Sequence, residues 1–447
     1  LQENLLKSHA VGLGEPIHES LVRLMLVLKL QALAQGYSGI RESTLDRIIW
    51  HLETGVIPVV PCQGSVGASG DLAPLSHLFL PLIGLGKVHY QDKIVDSAAV
   101  LQAFDLQPLA LGAKEGLALT NGTQFIAAHA VQVVQRFQNL LANANIAGAL
   151  MLEGMMGSGK PFLDELHQLR PYKGNQHVAA TIRNLLHESE IVVSHANCNR
   201  VQDPYSLRCI PPVHGAATTA WLHLKELVEI EINAVTDNPV LINENLTISG
   251  GNFHGQPLAL ALDYACLAAS EIGNISDRRI YLSLEGDTPG VPKLLFRETG
   301  LNSGFMIVQY TSAALASENK GLCFPASADS IPTSLGQEDH VSMGSISGRK
   351  ALQVIGNVEK IIGIELMCAA QALDFHVPLK PGRIVQAIHA HIRQHINHVE
   401  HDQILYELMQ RSIDIVQRGD LPQLARDISK RENLPYATPF SAIFDPL

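Results

Sequence analysis

An all-α fold follows from three features of this 447-residue sequence. Apolar residues recur at helical spacing over long stretches, Gly and Pro interrupt those stretches only briefly, and a single strand pair stands out. Together they predict a long helical bundle with one small β-hairpin. At roughly 150 residues per domain, the length allows about three domains or one large helical unit. No repeat, low-complexity tract or linker marks a boundary. The expected division is therefore residues 1–110, an N-terminal region carrying a Gly-rich loop, and residues 111–447, a long-helix core with C-terminal helices, forming one continuous unit.

The elements follow in order. His18 to Gln35 places Leu21, Leu24, Met25, Leu28 and Ala32 on one stripe, and Gly36 ends it. A second helix begins at Ser43 and runs through Ile48-Ile49. Lys87–Tyr90 and Lys93–Val95, joined by Gln91-Asp92, form the hairpin. An Ala-rich, Pro-free pattern covers Glu115 to Leu152. Further helices are expected over Ala216–Ala234, Gln256–Leu284, Ser303–Asn319, Arg349–Ala372 and Arg383–His401.

Composition narrows the function classes. Hydrophobic residues make up 46% and charged residues 17%, enough for a sizeable core and wrong for a disordered or fibrous chain. With 43 acidic against 32 basic residues the net charge is -11, which argues against a nucleic-acid binder. The longest apolar run, Leu72 to Gly86, is too short to span a bilayer, so no membrane association is expected. Six scattered cysteines (Cys62, Cys198, Cys209, Cys266, Cys323 and Cys368) without a CxxC spacing read as reduced thiols in a cytoplasmic protein. The chain opens at Leu1 on what reads as the interior of an amphipathic element, so part of the native N-terminus is expected to lie outside this sequence.

Three motifs are set aside. Gly154 to Lys160 fits GxxxxGK, but Pro161 follows where a phosphate loop needs Ser or Thr, and a helix precedes it. His391, His395 and His398 share a helical spacing without a clear further ligand, so no metal site is expected. The sequons at Asn121, Asn245 and Asn274 carry little weight without a secretory signal.

The segment that carries chemistry is Gly64-Ser65-Val66-Gly67-Ala68-Ser69-Gly70-Asp71-Leu72. Its bland reading is a flexible turn with Ser69 or Asp71 capping the helix that follows. Its sharper reading rests on bulk: with little at Ala68 and no Cβ at Gly70, the Gly70 nitrogen can fold onto the Ala68 carbonyl. Loss of water from that ring and from Ser69 would leave an exocyclic methylidene, an electrophile no standard side chain provides.

The run GSVGASGDLAPLSH resembles the signature of the aromatic amino acid ammonia-lyases. The resemblance continues in order through LALTNGTQ, QDPYSLRC, TDNP, SGGNFHG, NSGFMI, ALASENK, IPTS and QEDHVSMG, spanning essentially the whole chain. Gly336, where an asparagine is common, and Glu285 to Gly300 follow the pattern less closely. The resemblance implies a 4-methylideneimidazol-5-one (MIO) prosthetic group made from Ala68, Ser69 and Gly70, with no external cofactor. It implies Asn121 and Phe253 beside that group, Arg208 on the substrate carboxylate, and Gln202 and Tyr205 lining the same pocket. It also implies a homotetramer whose sites combine several chains, and a catalytic lid tyrosine that nothing in this sequence matches.

Substrate choice turns on Glu338 and His9. Members acting on phenylalanine or tyrosine tend to carry glutamine at the Glu338 position, whereas QEDHVSM resembles the members acting on histidine. A carboxylate accepts an imidazole N–H and is poorly matched to a phenyl ring. His9 matches a pocket histidine shared with tyrosine-specific members. The expected activity is therefore elimination of ammonia from histidine to give trans-urocanate. The alternatives are a tyrosine or phenylalanine ammonia-lyase or aminomutase, or a chain inactive without its lid. The fumarase and argininosuccinate-lyase group is set aside because its GSSxMPxK loop is absent.

Overall fold

The computed structural model describes residues 1–196 and 200–436. Among them lie eighteen α-helices and seven short strands. The helices are α1 (Gln2–His9), α2 (Glu19–Ala34), α3 (Glu42–Thr54), α4 (Leu72–Phe79), α5 (Ser97–Ala103), α6 (Glu115–Thr120), α7 (Gln124–Gly154), α8 (Asp164–Gln168) and α9 (Lys173–Leu185). After them come α10 (Glu190–Ser194), α11 (Tyr205–Arg208), α12 (Ile210–Glu231), α13 (Gln256–Leu284), α14 (Met306–Leu322), α15 (Gly344–Asp374), α16 (Arg383–His395), α17 (Tyr406–Arg418) and α18 (Asp420–Glu432). The all-α class is as the periodicity predicts.

Boundaries differ where capping or tertiary contacts decide. The Gln256–Leu284 helix has the expected bounds, whereas α12 starts at Ile210 because Pro211 and Pro212 sit in its first turn, where no N–H partner is needed. α14 runs three residues later than expected at each end, and α15 extends to Gly344–Asp374. α16 stops at His395 rather than His401: Ile396 turns extended, its side chain fully buried. His398 thereby leaves the helix and donates to Asp374 instead of lining up with His391 and His395. The Glu115–Leu152 pattern is broken at Asn121–Thr123, between α6 and α7.

The strands are more numerous than one hairpin. β4 (Lys87–Tyr90) and β5 (Lys93–Asp96) pair as expected, across Gln91 and Asp92, whose positive φ angles suit a tight hairpin turn. The short strand β2 (Ile57–Pro58) pairs with β4, and β1 (Leu13–Pro16) with β3 (Pro61–Gln63). A second hairpin joins Val240–Asn243 to Leu246–Ile248. The phosphate-loop look-alike follows the end of α7 at Gly154, with no strand before it. No disulfide joins the five described cysteines, and Cys198 lies outside the described residues.

The chain divides into two compact units. The first comprises Leu1–Val134, His223–Tyr264 and Phe324–Leu352. Its core gathers Leu6 of α1, Val22, Met25 and Leu26 of α2, Ile48 of α3, Leu75 and Phe79 of α4 and Leu119 of α6. The α2 stripe is rotated from the expected one: Leu21, Met25 and Ala32 are buried, Leu24 and Leu28 are half-buried, and Val22, Leu26 and Leu33 complete the inner face.

The second unit comprises Gln135–Leu222, Ala265–Cys323 and the residues from Gln353 onward. Here Ile388 of α16, Ile415 and Val416 of α17 and Leu421 and Ala425 of α18 are buried. α13 is the one described helix long and apolar enough to cross a bilayer, and 67% of its apolar stretch is buried inside the fold. Within this unit Arg279 and Glu365 form an ion pair with no exposure on either side. Arg279 Nη2 donates to Glu365 Oε2 at 2.9 Å, its Nε donates to Oε1, and the Ser276 hydroxyl donates to Oε2 at 2.6 Å. Removing one partner of such a pair strands a charge in a dry interior. Glu365→Ala is expected to cost about 3–5 kcal/mol in urea unfolding; a loss under about 1 kcal/mol would mean that solvent reaches Arg279.

Candidate active site

The Gly-rich loop before α4 folds as a tight left-handed turn. Gly67, Ser69 and Gly70 have φ angles of 81°, 51° and 81°. For Ser69 this is a sparsely populated conformation that the surroundings must hold in place. At Gly70 the restraint is absolute, because a Cβ there would meet the Gly122 carbonyl oxygen at 2.2 Å. Gly70 and Gly122 form an isolated parallel bridge, and the Asp71 N–H donates to the Gly122 carbonyl at 2.8 Å. On the other side Ala68 packs against Val341 and Met343, and the Met343 N–H donates to the Val66 carbonyl at 2.9 Å. The loop is held from both faces.

Asp71 occupies the first position before α4 but makes no capping bond to it. Its carboxylate reaches across to α7, accepting from the Ile126 N–H at 3.0 Å, and from the Ser65 hydroxyl at 3.0 Å. Burial pushes this carboxyl up to about 7, against those hydrogen bonds. The expectation that Ser69 or Asp71 caps its own helix is thus corrected. The loop spends that acceptor on the helix behind it.

Glu338 closes the turn from the segment before α15. Its Oε1 accepts the Ser69 hydroxyl at 2.6 Å; its Oε2 accepts Ser334 at 2.6 Å and Thr333 at 3.1 Å. Burial raises its pKa, but these three hydroxyl donors and the nearby His9 outweigh burial, and the carboxyl lies below its ordinary range. It is ionised at neutral pH. A cavity of about 260 Å³ opens here, bordered by Ser8, His9, Ser65, Ala68, Gly70 and Glu338. The structure thus brings His9, the Ala68-Ser69-Gly70 turn and Glu338 together at one cavity.

Asn121 stands in the break between α6 and α7, 3% exposed. Its side-chain amide donates to the Asn238 carbonyl at 2.6 Å, and the adjoining Gly122 N–H faces the Ser69 carbonyl at 3.4 Å. Asn238 Oδ1 accepts from the Gly250 N–H at 2.8 Å, which anchors the segment leading to Phe253. Phe253 is half-buried in a turn before α13 and does not border the 260 Å³ cavity.

Gln202, Tyr205 and Arg208 belong to the second unit, and the cavity's lining comes from the first. Tyr205 is 71% exposed, with the Arg208 guanidinium 4.6 Å from its ring centroid. Arg208 Nε donates to the Asp203 carbonyl at 3.0 Å.

Sequence reasoning missed three residues of the first-unit site. Thr333 and Ser334, quoted only as part of a motif, orient Glu338. Lys29, buried on α2, donates to the Asn121 carbonyl. Its signal was legible: Lys29 sits four residues from both Met25 and Leu33, inside an apolar stripe.

The profile of the aromatic amino acid lyase family matches residues 1–394. A histidine ammonia-lyase of Gloeobacter violaceus is 48% identical over 423 residues, covering 94% of this chain and 82% of that protein. Among solved structures, histidine ammonia-lyase from Trypanosoma cruzi superposes with a TM-score of 0.91 at 38% identity, covering all of this chain and 85% of that one. Tyrosine aminomutase from Streptomyces globisporus gives 0.90 at 34% identity, covering 95% and 84%. Fold and matches define a helical carbon–nitrogen lyase. The chain belongs to the aromatic amino acid lyase family.

Gly70→Ala tests the close approach on which the turn depends. The new Cβ would displace Gly122, so the Asp71 amide is expected to exchange with solvent on the order of ten-fold faster, and the fold to lose about 1–3 kcal/mol. Unchanged exchange and stability would show that the turn has room for a side chain.

Proposed function

We propose that this chain eliminates ammonia from L-histidine to give trans-urocanate, using an MIO group formed from Ala68, Ser69 and Gly70. The observation that carries the reading is the side-chain-free approach at Gly70, which leaves its nitrogen free to fold back within a turn held on both faces. The residues present fit the group: Ala68 is small, Gly70 lacks the Cβ that would fill the space, and Ser69 carries the hydroxyl to be lost. In ring formation the Gly70 nitrogen bonds to the Ala68 carbonyl carbon. One water carries away that carbonyl oxygen with the amide hydrogens of Ser69 and Gly70. A second carries away the Ser69 hydroxyl with its Cα hydrogen.

Once formed, the group supplies an electron-poor methylidene carbon for the substrate amine. The remaining work falls to the chain's own residues. Glu338, kept ionised by its hydroxyl donors, accepts the imidazole N–H through the oxygen that Ser69 occupies before its hydroxyl is lost. His9 and Ser8 border the same space. Arg208, whose planar fork suits both carboxylate oxygens, takes the substrate carboxylate, with Tyr205 and Gln202 as neighbouring hydrogen-bonding groups. Asn121, whose neighbour Gly122 touches the turn, and Phe253, on the segment that Asn238 anchors, are assigned to this site by the family resemblance. The names of the relatives support histidine as substrate.

A homotetramer in the cytoplasm is part of the same proposal. Leu260, Tyr264, Leu267 and Tyr281 are exposed along α13, an apolar surface suited to assembly.

Two substitutions test the reading. Ser69→Ala has no hydroxyl to lose and is expected to fold normally and release no ammonia from histidine; turnover near wild type would sink the prosthetic-group reading. Glu338→Gln keeps the shape and removes the charge. Its kcat/KM for histidine is expected to fall about ten-fold or more, roughly 1.4 kcal/mol, while activity on phenylalanine or tyrosine falls less or rises. A wild type that prefers tyrosine, or equal losses on all substrates, would make Glu338 a structural carboxylate.

A further inference from the structure

Beneath the Asn121–Gly122 break lies a charge that the proposed chemistry leaves unused. Lys29 is 1% exposed, on the face of α2 that also buries Val22, Met25, Leu26 and Leu33. A lysine in an apolar stripe is costly unless its ammonium has fixed partners. Its Nζ donates to the main-chain carbonyl of Asn121, the residue that ends α6. A cation is favoured there because the last carbonyls of a helix lack intrahelical donors.

The charged groups around it are Asp237, Lys114 and Asp71. Lys114 donates to Asp237 at 2.6 Å and to the Ser38 carbonyl at 2.9 Å, while Asp71 is engaged with α7. Burial lowers Lys29 to about 8, with Asp237 and Asp71 opposing and Lys114 adding to the shift. The ammonium form therefore persists at neutral pH.

What Lys29 holds leads in two directions. Through Gly122 it leads to the Ser69 carbonyl and the Asp71 N–H; through the Asn121 amide it leads to Asn238 and the segment before Phe253. We propose that Lys29 is a positioning residue: by pinning the Asn121 carbonyl it sets the Asn121 amide and holds Gly122 against the Ala68-Ser69-Gly70 turn, so that the ring closes and substrate meets a fixed wall. The inference rests on reading that turn as the precursor of the prosthetic group.

Lys29→Met keeps length and apolar packing while removing the charge and its donors. Intact mass reports ring formation as the loss of two water molecules, independently of turnover. For the folded Met variant, either a smaller fraction of chains with that deficit, or a kcat for histidine about ten-fold lower with KM moving less than about three-fold, is the expected result. Partial restoration by Lys29→Arg is expected too. A Met variant with a full deficit and wild-type kcat overturns the proposal. So does a loss of activity that only tracks a lowered melting temperature while the deficit and kcat per folded enzyme are unchanged. Should the Met variant not fold, Lys29→Gln, shorter and neutral, is judged by the same two readouts. A wild-type protein without the deficit would instead overturn the prosthetic-group reading itself.

Discussion

Two stretches of backbone, at Gly70 and Gly122, approach so closely that no side chain fits at Gly70. The rest of the first unit is arranged to keep them there. The Asp71 N–H donates to Gly122, and the Asp71 carboxylate caps the helix that Gly122 precedes. Val341 and Met343 close over Ala68 from the other side. A turn with Ser69 at positive φ persists because its neighbours over-determine it.

Around this contact the unit keeps charge where water is scarce. Lys29, Lys114, Asp237 and Asp71 lie behind the loop, and Glu231, whose pKa burial raises, accepts the Thr123 hydroxyl at the start of α7. In front, Glu338 is the reverse case: partly buried, yet held ionised by hydroxyls. Buried groups behind the turn serve its shape, and the carboxylate in front, bonded to three hydroxyls, borders the cavity. The same low dielectric strengthens both sets of interactions, which is why each partner counts.

The helical class was legible because long apolar periodicities dominate, and α13 could be delimited to the residue. The loop was legible because Ala68, Ser69 and Gly70 are small in a chain otherwise rich in Leu and Ile. Glu338 and His9, far apart in sequence, border the same cavity. What sequence hid were effects of the third dimension. The break at Asn121–Thr123 is fixed by partners from elsewhere in the chain: Gly122 on the loop, Asn121 on Asn238 and Thr123 on Glu231. Lys29 is legible as a charge within an apolar stripe, but its partner, the Asn121 carbonyl 92 residues away, is not. Ile396 ends α16 by turning inward, which moved His398 away from the row it had shared on paper. The second hairpin has only a weak signal, the apolar run Val240–Ile242 and the short alternation Leu246-Thr247-Ile248, beside much stronger helical patterns.

The chain belongs to the aromatic amino acid lyase family, and in the function proposed above this arrangement is a scaffold that would make its own electrophile beside a carboxylate. A high-resolution crystal structure of the purified wild-type protein tests that most directly. Continuous density joining the Gly70 nitrogen to the former Ala68 carbonyl carbon in a five-membered ring, with the Ala68 carbonyl oxygen and the Ser69 hydroxyl gone, the Ser69 carbonyl oxygen retained and Glu338 Oε1 open to the cavity, is the expected result. An open backbone through residues 68–70, with the Ser69 hydroxyl still donating to Glu338, would contradict it.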